Sequence, residues 1–293
     1  MVRLALADPS PAAGPEELLA ELGLNALDDG PFASAYEAVP PTLRARLKAA
    51  IASLYSLYPP RRTHSETVVW RRSGGEIEHR LTAPRPWTVL LLGEKCPAPL
   101  VLAGLLPALT ARVPAVVCLY VGEGFPEPVL LTALELAGQE WLAPLQPGSA
   151  ESVLSRLSAL GGGAVVGLGV DPSFLSGAPG LNLWHDAANH AIGVFPGTGE
   201  SPDLDLLSIL HGPGRLEIWN VDSPPKGSRP RRGGIEDFLA QDYQAAFPPR
   251  AHREQALAAF PLTLCGGGEA HWRIPGLGRR FYEKLQFGLD CGD

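Results

Sequence analysis

From Trp87 onward the chain alternates short, largely apolar runs with longer stretches of helical length, and no other feature constrains its fold as strongly. Apart from Thr88, residues 87–92, 115–121 and 164–170 are apolar. Runs of that length without polar alternation are strands covered on both faces. Helices are predicted over residues 99–112 and 128–138 and from a Ser149 cap through Leu160, where glycines 161–163 stop it, with a further strand over 140–145. A short helix over 203–210 and a strand over 216–221 continue the pattern. A helix between successive strands carries the chain back across the sheet, so the strands run parallel. The expected fold is α/β: a mostly parallel, doubly wound Rossmann-like sheet whose ligands sit at the carboxyl ends of the strands.

Two different segments flank this region. Residues 15–24 and 41–58 read as helices, the second bounded by Pro40-Pro41 and Pro59-Pro60, where proline is tolerated. Residues 67–71 and 76–82 read as a hairpin around Ser73-Gly74-Gly75. Its edges are open to pairing, so a homodimer is expected through it. After the sheet, residues 223–234 are basic and rich in proline and glycine and read as a linker, Lys226, Arg229, Arg231 and Arg232 being solvated. The last piece holds a helix near 252–260 and an irregular glycine-rich stretch. The expected divisions are therefore 1–84, 85–222 and 223–293.

Composition narrows the partners. With 31 acidic against 24 basic side chains, the net charge of −7 argues against nucleic acid. The amino terminus lacks the apolar stretch of a secretory signal, and Glu94, Lys95 and several prolines interrupt residues 87–109, so no membrane span is expected. Cys96, Cys118, Cys265 and Cys291 form no CxxC pair, which points to reduced thiols in the cytoplasm.

Several groups are candidates for chemistry. Gly93 to Pro97 leaves a strand and opens a helix, so Lys95 and the helix end would lower the Cys96 pKa and make it a nucleophile; the plainer reading is a loop with a half-buried thiol. Glycines 161–163, 167 and 169 end a helix and enter a strand, the wrong order for a dinucleotide fingerprint. His185, Asp186, His190 and His211 form the densest set of acid–base or metal-binding types, with His185 and His211 the metal candidates. Asp186 and His190 are four apart, so one helical turn would let the carboxylate orient a catalytic imidazole. Cys265 opens a glycine turn ending at Glu269, with His271 beyond it; it reads either as a second nucleophile or as a buried thiol in a flexible turn. Trp184, Trp219 and Trp272 read as core or interface residues.

The residues Arg85-Pro-Trp-Thr-Val-Leu-Leu-Leu-Gly, then Pro97-Ala-Pro-Leu-Val-Leu-Ala-Gly-Leu-Leu-Pro-Ala-Leu and Pro114-Ala-Val-Val-Cys-Leu, resemble the first cofactor-domain unit of the aldehyde and histidinol dehydrogenases. Glu127-Pro-Val-Leu-Leu-Thr-Ala-Leu-Glu-Leu-Ala-Gly is similar to the next helix of that family, and Pro202-Asp-Leu-Asp-Leu-Leu-Ser-Ile-Leu-His-Gly-Pro to a histidinol dehydrogenase segment. The resemblance spans residues 85–221. It implies an oxidoreductase using NAD or NADP, with zinc in the histidinol dehydrogenase case. Gly93, Lys95 and Tyr120 occupy the implied cofactor positions, and Cys96, Cys265 or His190 the implied catalytic ones. The departures are specific. Glu94-Lys95-Cys96-Pro97 stands where the family has an Asn, Tyr120 lies where a Lys holds the ribose, and His211 lacks its Gln partner. Two readings follow: a shortened dehydrogenase, or a non-catalytic ligand-binding or assembly protein that keeps the sheet.

Overall fold

The computed structural model describes residues 14–63, 65–71, 76–175, 180–186, 191–197 and 201–290. Three amino-terminal helices, α1 (Pro15–Leu22), α2 (Asp29–Ala38) and α3 (Pro41–Leu57), precede a hairpin of β1 (Glu66–Arg71) and β2 (Ile77–Pro84). Then come β3 (Trp87–Gly93), α4 (Ala98–Thr110), β4 (Ala115–Val121), α5 (Pro128–Leu136), β5 (Leu142–Leu145), α6 (Ala150–Leu160), β6 (Ala164–Leu168) and β7 (Asn182–His185). The remainder supplies β8 (Ile192–Val194), α7 (Leu204–His211), β9 (Leu216–Trp219), β10 (Arg229–Arg231), α8 (Ile235–Leu239), β11 (Ala245–Phe247), α9 (Arg253–Ala259) and β12 (Glu283–Asp290).

The fold is α/β with parallel sheets, as the alternation requires. Five strands lie in the order β5-β4-β3-β6-β7, every neighbouring pair parallel. Each residue of β3 and β4 is buried, which explains their uninterrupted apolar sequence. The pleat sends Leu90, Leu92, Cys118 and Val166 to the face carrying α4 and α5, and Val89, Leu91, Val117 and Val165 to the face carrying α1 and α6. Helix α1 thus covers the sheet through Leu18, Leu19 and Leu22.

The parallel strands are divided between two sheets. A second one, ordered β10-β9-β8-β11, packs its Ile192, Val194, Leu216 and Ile218 into the same core as α4, with α7 in that core too. The stretch before Asp203 and the basic stretch therefore contain strands that pattern alone does not predict. Strand β8 is only three residues long and carries Gly193, where a Cβ would lie 2.3 Å from the Tyr243 ring. Strand β10 is Arg-Pro-Arg, and it pairs through its backbone with β9 instead of running free as a linker. Its arginines bracket the buried Glu217: Arg231 forks onto both carboxylate oxygens at 3.0 and 3.2 Å, and Arg229 approaches to 3.5 Å. Tyr243 donates to the same carboxylate and accepts from Trp219, so the group is compensated where it is buried.

The hairpin strands pair antiparallel, Arg71 opposite Ile77 and Glu66 opposite Thr82, and β12 closes on β2 as a third strand. The turn expected at Ser73–Gly75 lies outside the described residues. Among the described residues no helix is long and apolar enough to cross a membrane.

Candidate functional site

In the five-stranded sheet the order reverses between β3, the first strand laid down, and β6, the fourth. Ligands of open α/β sheets bind in the crevice at such a reversal. Here the two chain segments leaving the strands touch: a Cβ on Gly93 would sit 2.0 Å from the Gly169 carbonyl oxygen. Only glycine at position 93 permits that approach. Gly169 adopts φ +66, and a methyl placed on it would lie 3.5 Å from Cys96 Cβ and 3.9 Å from a guanidinium nitrogen of Arg215. The reversal point is thus roofed by a thiol from the β3–α4 loop and a cation from the α7–β9 loop.

The loop from Gly93 is a tight turn, with the Cys96 N–H donating to the Gly93 carbonyl at 3.0 Å. Arg215 donates to the Lys95 carbonyl at 3.1 Å, tying the second sheet to this turn. Beside it opens a cavity of about 500 Å³, bounded by Lys95 to Ala98, by Glu127, Val129 and Leu130 at the start of α5, and by residues 209–215. His211, at the end of α7, lines the same cavity. Cys96 and His211, 115 positions apart in the chain (211 − 96), therefore share one cleft at the downstream ends of the strands.

Burial sets the charge state of both. The Cys96 thiol is pushed far above the ordinary thiol range by desolvation; Arg215 pulls it down, and Asp186 and Cys118 push it further up. This is opposite to the activation expected from the helix end and Lys95. Lys95 is exposed and contributes only its carbonyl, so the loss of hydration decides the outcome. His211 is 2% exposed, and burial brings its pKa down to about 4. Its Nε2–H donates to the Glu269 carbonyl at 2.8 Å, and its ring packs on Trp272 at 5.0 Å between centroids. The imidazole is therefore neutral near pH 7, with Nδ1 as its acceptor. Arg215 is itself half-buried; desolvation lowers its pKa while Cys96 and Asp186 hold it up.

The other expected residues fall in different places. Tyr120 is buried in the core of β4, 2% exposed, with its ring folded over Gly122. His185 ends β7 and its Nδ1 bonds the Asp186 carbonyl at 3.1 Å. Asp186 follows that strand and accepts from Gln244; His190, and the helical turn expected to join the two, lie outside the described residues. Cys265 is half-buried on a turn closed by the Gly268 N–H, and it does not line the cleft. That turn is anchored by Glu269, whose Oε1 accepts from Asp203 and Gly267. Among the described residues no group of three or more His, Cys, Asp or Glu is arranged to hold a metal, and none of them completes a zinc site with His185 and His211. Sequence reasoning passed over Arg215. Its only signal is its place in Gly212-Pro-Gly-Arg, a turn between a helix and a strand.

No protein-family model and no curated protein sequence matches the chain. Solved structures do. Histidinol dehydrogenase from Elizabethkingia anophelis superposes with a TM-score of 0.57 at 12% identity, over 90% of this chain and 76% of that one. Succinate-semialdehyde dehydrogenase from Burkholderia pseudomallei gives 0.52 at 10% identity, over 96% and 87%. An NAD-dependent benzaldehyde dehydrogenase from Corynebacterium glutamicum gives 0.52 at 10% identity, over 96% and 86%. Identities this low establish architecture and not activity. The chain has the fold of the histidinol and aldehyde dehydrogenases.

Proposed function

We propose that this chain binds a nicotinamide cofactor, NAD or NADP, at the β3–β6 reversal point. The observation that carries the reading is Arg215: a half-buried cation set over the Gly93–Gly169 contact, where a pyrophosphate would need a compensating charge. The residues fit such a group in part. Arg215 and the Ala98 N–H at the start of α4 would hold the phosphates, Pro97 and Pro99 having no N–H to give, whereas the buried Tyr120 leaves the ribose without the cation that the related enzymes supply.

A bound nicotinamide supplies a hydride acceptor, and an oxidoreductase would also need an activated thiol or base. Burial keeps the Cys96 thiol protonated and leaves His211 too weak a base for proton transfer near pH 7. This favours the second reading over catalysis: a ligand-binding or assembly protein that keeps the dehydrogenase-like sheet. Thermal unfolding with NAD and NADP tests the binding. Cofactor at one hundred times its Kd should add about 2.7 kcal/mol, and Arg215→Gln should abolish the gain. No shift with either cofactor would overturn the proposal. Cofactor reduction by aldehydes or by histidinol would restore the catalytic reading, with Cys265→Ala then identifying the nucleophile.

A homodimer belongs to the same proposal. Among the described residues no strand pairs with the outer edge of β12, and Leu285, Phe287 and Leu289 stand 45%, 64% and 60% exposed along it. Centring two copies antiparallel on Phe287 sets Leu285 against Leu289 and Lys284 against Asp290, so one register satisfies both apolar contact and charge. Free thiols at Cys96, Cys118 and Cys265 fit a cytoplasmic setting.

A further inference from the structure

A second cavity, of about 960 Å³, opens between the carboxyl half of α3, α9 and residues 261–280. Its walls are apolar: Ala50 and Leu54 on one side, Leu262, Leu264, Trp272 and Ile274 on the other. At its lip, Leu57 and Leu257 remain 36% and 58% exposed. The rim is cationic. Arg253, Arg273, Arg279 and Arg280 all line it, and no lining residue carries a carboxylate, in a chain where acidic side chains outnumber basic ones by 31 to 24. Arg279 is held by Glu283 and the Pro59 carbonyl, while the other three arginines are exposed to solvent at the mouth. Two buried polar atoms of the lining, Thr263 Oγ1 and His271 Nδ1, have no hydrogen-bond partner among the described residues. Burial lowers the His271 pKa; Glu269 opposes this, and Arg273 and Arg46 reinforce it.

Buried polar groups are ordinarily satisfied, and concave, mostly apolar sites with a few converging polar groups are where small molecules bind. We propose that this cleft binds a free amphipathic anion, its alkyl body lying on the leucine wall and its carboxylate or phosphate head paired with Arg253, Arg273 and Arg280. Thr263 and His271 then meet the polar atoms next to the head. The site shares no lining residue with the β3–β6 cleft, so it stands or falls apart from the dinucleotide reading.

Decyl phosphate, used as monomer, is the probe, followed by Trp fluorescence and thermal unfolding of the full chain. Saturable binding is expected, with inorganic phosphate at least tenfold weaker because it lacks the apolar body. Arg273→Gln combined with Arg280→Gln should weaken decyl phosphate at least tenfold, and Leu257→Asp should do the same at an exposed position that the fold does not need. Both variants should keep the wild-type Tm without ligand. The proposal is overturned if decyl phosphate does not bind, if inorganic phosphate binds as well, or if the folded variants bind unchanged. Binding to anionic vesicles without saturable binding of the monomer also overturns it.

Discussion

In the five-stranded sheet every residue of β3 and β4 is buried, whereas in the three-stranded sheet every residue of β12 after Glu283 is exposed. Both use leucine, valine and aromatic side chains, but the surroundings differ. A parallel strand with helices on both faces has no side on which a charge can rest, and its neighbours close in until even a methyl group has no room. The antiparallel sheet keeps its alternation, with Arg80 set between Trp70 and Phe287 at about 6 Å from each ring, and leaves the apolar row Leu285, Phe287 and Leu289 exposed. The first sheet is over-determined by its own packing, and the second is the one on which the proposed dimer rests.

The comparison breaks most readily at its tightest point. Gly93→Ala should cost about 3 kcal/mol or more, because the added carbon meets backbone that cannot rotate away. A urea unfolding curve displaced by less than about 1 kcal/mol would show that the reversal point is not packed as described. The next effect is acid sensitivity on the buried side. His211 has a folded pKa of about 4 against 6.5 for the free imidazole, so below pH 6.5 the unfolded chain takes up a proton that the folded chain refuses. Its contribution is complete above pH 6.5 and is lost as pH falls towards 4, with a slope approaching about 1.4 kcal/mol per pH unit. His211→Gln should flatten that limb of the stability–pH curve; an unchanged limb would assign it to other groups.

On the exposed sheet, the effects should appear in assembly and not in stability. Leu289→Lys should leave the unfolding free energy within about 0.5 kcal/mol of wild type while converting a sedimenting dimer to 31.1 kDa particles. Lys284→Asp and Asp290→Lys should each weaken the dimer, and the double exchange should restore it; wild-type sedimentation as a monomer at high concentration removes the dimer altogether. The smallest effect sharpens the contrast. In Gly288→Ala the new carbon would find only His79 Cβ, at 3.7 Å, so the change should lie within about 0.5 kcal/mol of zero, against the large cost at Gly93.

The legible parts of the molecule are those whose pattern reports burial directly. β3, β4 and β6 are read from nearly unbroken apolar runs, α3 from its bounding prolines, α6 from the Ser149 cap and the glycines that stop it, and the Gly93–Pro97 loop from its place between a strand and a helix. α2 escaped because only Phe32 and Ala35 of Asp-Gly-Pro-Phe-Ala-Ser-Ala-Tyr-Glu-Ala are buried, too few to make a stripe. β10 escaped because its side chains are exposed and its membership is a backbone matter, while its arginines answer a carboxylate 12 and 14 residues earlier (229 − 217 and 231 − 217). The cleft was half visible. Cys96 and His211 stood out by residue type, but the charge each carries depends on desolvation, which no spacing encodes.

The sequence by itself determined the α/β class, the parallel direction of the central strands and the positions of their downstream loops, since these follow from which residues must leave water. Tertiary structure alone decided that the parallel strands divide into two sheets, that Arg215 reaches the Lys95 carbonyl across 120 positions (215 − 95), and that Cys96 and His211 are held uncharged. Those outcomes depend on distances and hydration between segments remote in the chain, and they exist only once the core has closed around them.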